Sequence, residues 1–167
     1  MNDATIPKPP AADGGPRVLV SDRQASGPGT GRADALASLA SLAARVLATE
    51  GAGQVELSLS FVDPSEIEDL HVRYMDEPGP TDVLSFPMDE DDGGAGAQAL
   101  GGAPRLIGDV IVCPAVAAAN NPSDPEGELR LLVVHGVLHL LGYDHEDEAE
   151  RAAMWAKQEA YAGVRVP

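Results

Sequence analysis

The stretch that most constrains this chain is residues 131–141, Leu-Leu-Val-Val-His-Gly-Val-Leu-His-Leu-Leu, which is apolar on every face of a helix except at two histidines. A helix apolar all round has to be buried, so the segment predicts a central helix about which the other elements pack. His135 and His139 stand at i and i+4, which puts both rings on one face, a turn apart. Gly142 supplies the left-handed conformation that ends a helix and turns the chain so that His145 folds back toward the same point. Buried imidazoles without partners are costly, and the spacing predicts one divalent ion held by His135, His139 and His145. For tetrahedral zinc, three neutral imidazoles leave a fourth position open to water, the stoichiometry of a catalytic site. A fourth protein ligand, from Cys113, His71 or a carboxylate, would make the site structural instead.

The elements around this helix follow from their periodicity. Arg17–Asp22 is a β-branched run entered from Gly14-Gly15-Pro16 and predicts a first strand. Ala33–Glu50 carries apolar residues at three- and four-residue spacing, stopped by Gly51 and Gly53. Val55–Val62 alternates as a strand, and Asp63-Pro64 then opens a helix with Asp63 as its expected cap, fading near Met75. Thr81–Pro87 and Leu106–Cys113 predict two further strands, each closed by proline, with Ser85 and Thr81 on the side opposite Leu84 and Phe86. A short helix from Ala115, the central helix from Pro125 to about Leu141, and an amphipathic helix from Glu146 to about Tyr161 complete the chain. Residues 1–16 predict a disordered leader, 17–163 one folded domain, 88–104 a mobile acidic and glycine-rich loop, and 164–167 a tail.

Charge and cysteine usage limit the partners. The net charge of -16 argues against broad, salt-driven binding to phosphate backbones. It is not spread evenly, because residues 76–92 hold seven acids and 144–150 hold five, with no Lys or Arg in either block. Cys113, the single cysteine, excludes an intrachain disulfide and any zinc site built from several thiolates, and is read as a small buried hydrophobe. With no apolar run long enough to span a bilayer and no signal-peptide pattern, a cytoplasmic protein is expected.

The spacing His-x3-His-x2-Gly-x2-His also occurs in metzincin peptidases, which place a glutamate general base directly after the first histidine. Here that position is Gly136, so peptide hydrolysis lacks its usual proton acceptor. The full run His-Gly-Val-Leu-His-Leu-Leu-Gly-Tyr-Asp-His at 135–145 resembles the signature of the bacterial YbeY family of metal-dependent endoribonucleases and rRNA maturation factors. Thr-Asp-Val-Leu-Ser-Phe-Pro at 81–87 and Ile-Gly-Asp-Val-Ile-Val at 107–112 are similar to two more motifs of that family, in the same order.

The resemblance implies an α+β fold, a single domain in which helices surround a small mixed sheet, with one Zn2+ per chain on the central buried helix. It implies cleavage of single-stranded RNA, maturation of the 3′ end of 16S rRNA and ribosome quality control, with rRNA, the small ribosomal subunit and its proteins as partners. DNA and membranes are not expected partners. One departure stands out: the family's arginine before the second motif, thought to meet RNA phosphate, aligns with Met75, while Arg73 lies two residues earlier on another helix face. His71 falls where the family tends to have asparagine. Asp109 and Asp144 are candidates to accept the second ring N–H of a ligand histidine, and Ser85 is a candidate to line the cleft. Two other classes of function remain open from sequence: an assembly factor with a structural zinc and little catalysis, and a metzincin-like amidase or peptidase.

Overall fold

The computed structural model describes residues 4–5, 15–25, 32–75, 81–88 and 105–163. The strands are β1 (Ala4–Thr5), β2 (Arg17–Asp22), β3 (Val55–Phe61), β4 (Val83–Pro87) and β5 (Arg105–Val112). The helices are α1 (Arg32–Thr49), α2 (Pro64–Met75), α3 (Pro114–Asn120), α4 (Pro125–Leu140) and α5 (Glu148–Ala162). The strands form one mixed sheet in the order β1-β2-β3-β5-β4. β2, β3 and β5 run parallel at its centre, and β1 and β4 close it antiparallel on either side. This is the α+β domain that the motifs implied.

Alternation decides which face each strand buries. Val55, Leu57, Leu59 and Phe61 of β3 are buried while Glu56, Ser58 and Ser60 between them are half-buried. Val110 and Val112 join the larger core, made with Leu39, Val46 and Leu47 of α1 and Val133, Val134, Val137 and Leu138 of α4. Ile111 faces the other way, into a smaller cluster with Leu84, Cys113 and Ile67 of α2. So α1 and α4 cover one face of the sheet and α2 the other. α4 packs against α1, α3, α5, β4 and β5, which explains why its sequence is apolar all round.

Local chemistry sets the element ends. Asp124 caps α4 by accepting the Gly127 N–H at 3.0 Å, with Pro125 in the first turn. α5 begins at Glu148 and not at Glu146, because Asp147 takes the cap and accepts the Glu150 N–H at 2.7 Å. β4 begins at Val83 and not at Thr81: the Asp82 carbonyl accepts the Cys113 N–H at 2.9 Å, and its carboxylate accepts Asn120 Nδ2 at 3.3 Å. Asp63, expected to cap α2, turns its Oδ2 to the Ala25 N–H at 2.7 Å. Within the segment expected as a disordered leader, Ala4–Thr5 is a strand, pairing with the backbone groups that β2 would otherwise present as an open edge. The acidic loop at 89–104 and the tail at 164–167 lie outside the described residues.

Candidate metal centre

His135 and His139 project from one face of α4 with their Nε2 atoms 3.0 Å apart. The helix then ends in a Schellman turn: Gly142 adopts φ 98°, its N–H bonds to the His139 carbonyl, and the Tyr143 N–H bonds to the Leu138 carbonyl, each at 3.0 Å. The reversal returns His145 to the pair, with its ring centre 5.3 Å from that of His139 and 5.8 Å from that of His135. One ring nitrogen from each of the three lies within 4.8 Å of the others, and His135 and His139 are half-buried. Among the described residues no other His, Cys, Asp or Glu joins the group.

Two residues of α5 hold these rings. The Trp155 indole stands edge-on to His135 and His145, its centre 6.3 Å and 5.7 Å from theirs. Gln158, only 3% exposed, accepts a short hydrogen bond through Oε1 from Nδ1–H of His135. That bond puts the ring proton on Nδ1 and leaves the Nε2 lone pair directed at the centre, the tautomer a metal requires. Burial lowers the pKa of His135, against the opposing Gln158 bond and with help from the neighbouring imidazoles; burial likewise lowers that of His139, aided by His145. Both rings are therefore neutral donors at neutral pH.

The donor set fits a borderline divalent ion. At a Zn–N distance of about 2.05 Å, tetrahedral geometry separates two nitrogens by about 3.3 Å, close to the 3.0 Å between the Nε2 atoms of α4. Imidazole nitrogen suits zinc and its late first-row neighbours rather than magnesium or calcium. The histidines open on a cleft of about 310 Å³ lined by Val83, Leu84, Ser85, Pro87, His135 and His139.

The remaining sequence candidates fall in different places. Ser85 lines the cleft and donates its hydroxyl to the Gly136 carbonyl at 3.1 Å, tying β4 to α4. Asp109 pairs with Phe86 and alternates with Val110, which puts it on the α2 side of the sheet, away from the histidines. Asp144 accepts the backbone N–H of His145 at 2.7 Å, a bond inside the turn and not to a ring nitrogen. Arg73 is exposed near the end of α2, on the opposite face of the sheet from α4, and His71 is half-buried on the same helix. Cys113 is buried in the α2 cluster, where burial raises its thiol pKa. On the His135 ring the partner is Gln158, a residue not among the sequence candidates Asp109 and Asp144. Its signal was positional: it sits on the buried stripe of α5 between Met154 and Ala162, where a polar residue needs a partner.

Gly136 has a physical reason to be glycine. A Cβ there would stand 2.6 Å from Val110 Cγ1 and 3.2 Å from Ser85 Oγ. The position that bears the general base in metzincins is here pressed against the sheet.

A profile of the family described as Endoribonuclease YbeY matches residues 31–163. The chain is 47% identical over 106 residues to Endoribonuclease YbeY of Mycobacterium leprae, 62% of this chain and 60% of that protein. It is 51% identical over 108 residues to Endoribonuclease YbeY of Beutenbergia cavernae, 63% of this chain and 71% of that protein. The match thus spans about 60% of the length of the Mycobacterium leprae relative. The solution structure of TM1509 from Thermotoga maritima superposes with a TM-score of 0.54 at 29% identity, covering 84% of this chain and 86% of the other.

Proposed function

The chain belongs to the YbeY family, and on that premise we propose that it is a cytoplasmic, zinc-dependent endoribonuclease, with one ion per chain. Its substrate is single-stranded RNA, and its work is maturation of the 3′ end of 16S rRNA and ribosome quality control, with the small ribosomal subunit and its proteins as partners. The observation that carries this reading is the convergence of His135, His139 and His145, the first two lining a cleft, with no fourth protein ligand among the described residues. A closed structural zinc would need that fourth ligand. A divalent ion bound there supplies Lewis-acid charge to a phosphodiester and lowers the pKa of a water.

The chain's own groups do the positioning. α4 fixes two imidazoles by its backbone, and the turn at Gly142 brings the third. Gln158 keeps the His135 proton on Nδ1, away from the centre. Val83, Leu84, Ser85 and Pro87 of β4 form the opposite wall of the cleft. No carboxylate among the described residues lines that cleft, so a peptidase's proton acceptor is missing and a phosphodiester, with its better leaving group, is the favoured substrate. The acidic blocks at 76–92 and 144–150 weaken non-specific affinity for RNA, so targeting rests on the ribosome.

The test is metal content together with cleavage of single-stranded RNA by the wild type, His139→Ala and a chelated sample. The proposal expects one ion per wild-type chain and loss of cleavage in the other two. Equal cleavage by all three overturns the metalloenzyme reading. One ion without cleavage of RNA or ribosomes favours the assembly factor, and hydrolysis of peptides but not RNA favours the peptidase. Product ends bearing a cyclic phosphate would assign the attack to the ribose 2′-OH, and their absence to water.

A further inference from the structure

Glu50 directly follows α1, at the negative end of the helix dipole, where a carboxylate is electrostatically disfavoured. Its side chain is nevertheless only 9% exposed. It accepts the Tyr143 hydroxyl at 2.5 Å, the Tyr161 hydroxyl at 2.5 Å and Lys157 Nζ at 3.0 Å. Lys157 Nζ also stands 5.3 Å from the centre of the Tyr143 ring. Tying α1 to α5 would need only Tyr161 and Lys157, both of which lie on α5. Tyr143 lies elsewhere, in the turn between the second and third histidines and two residues before His145.

That location matters because the three ligands are not held alike. His135 and His139 are fixed by the hydrogen-bonded frame of α4, whereas His145 lies between α4 and α5 with no helix of its own. The Asp144 carboxylate bonds within the turn, to the His145 N–H, and so does not anchor the turn to the rest of the domain. The Tyr143 hydroxyl does: it reaches a carboxylate 93 positions away in sequence. We propose that Glu50 is a positioning residue for the metal centre, holding through Tyr143 the turn that presents His145 to the two imidazoles of α4. The proposal rests on the reading of the three histidines as a metal site.

Tyr143→Phe and Tyr161→Phe, made in the full chain, test it, since each deletes one hydroxyl from the same carboxylate and only Tyr143 belongs to the ligand turn. The readouts are the rate at which zinc passes to a chelating dye, the visible spectrum of the cobalt-substituted protein, and the melting temperature without metal. Tyr143→Phe is expected to speed zinc release about tenfold, the scale seen when a group supporting a metal ligand is lost, and to alter the cobalt spectrum. Tyr161→Phe is expected to melt earlier while releasing zinc at the wild-type rate with the wild-type spectrum. Equal release rates in the two variants, fast or slow, or faster release from Tyr161→Phe, overturn the proposal. A wild type that binds no zinc overturns the metal reading along with it, so the two failures are told apart by the wild-type arm.

Discussion

Replacing Gly136 by alanine tests the link between helix packing and the histidine pair. The added methyl would lie 2.6 Å from Val110 Cγ1, 3.2 Å from Val110 Cγ2 and 3.2 Å from Ser85 Oγ. Val110 is fully buried, so its contact cannot swing into open space, whereas the Ser85 hydroxyl lines the cleft and can turn aside. Restoring carbon–carbon contact of about 3.5 Å requires α4 to lift from the sheet by about 0.9 Å. Overpacking of this kind costs about 1–3 kcal/mol, offset by about 1 kcal/mol of helix propensity gained over glycine. The net expectation is a loss of about 1 kcal/mol, or about 2–4 °C in melting temperature for a chain of this size. Cleavage should suffer far more, because displacement of reacting groups by about 1 Å can cost about a hundredfold in rate. Urea unfolding of Gly136→Ala, Val110→Ala and the double variant, with RNA cleavage measured on each, separates the terms. The double variant should be more stable than the sum of the singles by about 1 kcal/mol and should recover part of the activity. Strict additivity, or a Gly136→Ala protein as stable and active as the wild type, would refute the packing argument.

Further outcomes follow from other parts of the molecule. Glu50 has its pKa lowered by the Tyr143 and Tyr161 hydroxyls, which outweigh burial, with Lys157 adding to the effect. Its stabilisation is therefore complete above the ordinary glutamate value of 4.5 and lost as pH falls through the lower folded value. The stability gap between the wild type and Glu50→Gln should narrow from about pH 7 to about pH 3; a gap constant over that range contradicts the assignment. Cys113 is fully buried with its thiol pKa raised by burial, so the native protein should resist alkylation until it unfolds in denaturant, and rapid native labelling would place the thiol elsewhere. Met75 is the last residue of α2, and the sequence resemblance proposes that it stands in place of a family arginine. Met75→Arg should raise RNA cleavage and steepen its salt dependence by about one phosphate contact, whereas unchanged kinetics would mean that the missing cation does not limit the reaction.

How far the sequence reaches can be seen in individual residues. The central helix was legible because a segment apolar on every side has only one place to go, and β3 because a two-residue period survives in the sequence whatever packs on it. The family was legible in the run from His135 to His145, since local spacing is all such a cluster requires. The side of the sheet on which the candidate Asp109 lies was not legible, for the opposite reason. Which face of β5 looks at α4 depends on register with β3 and β4 and on which helix covers each side, and neither is written in the strand itself. Asp144 went to its nearest donor, as a short carboxylate in a turn does. Gln158 and Glu50 were missed because their partners lie 23 and 93 positions away, across contacts that only the folded chain creates.

The placement of α5 has a consequence for the order in which the protein is made. The three imidazoles lie at 135, 139 and 145, while the groups that orient them, Trp155 and Gln158, come later in the chain, as does the Tyr161 hydroxyl that shares Glu50 with Tyr143. A chain growing from its N-terminus exposes the ligands before these supports on α5. Until α5 has left the ribosome and docked on α4, His135 has no acceptor to settle its tautomer and the His145 turn lacks the indole behind it. Under the function proposed above, the metal centre stays incomplete while the chain is itself emerging from a ribosome.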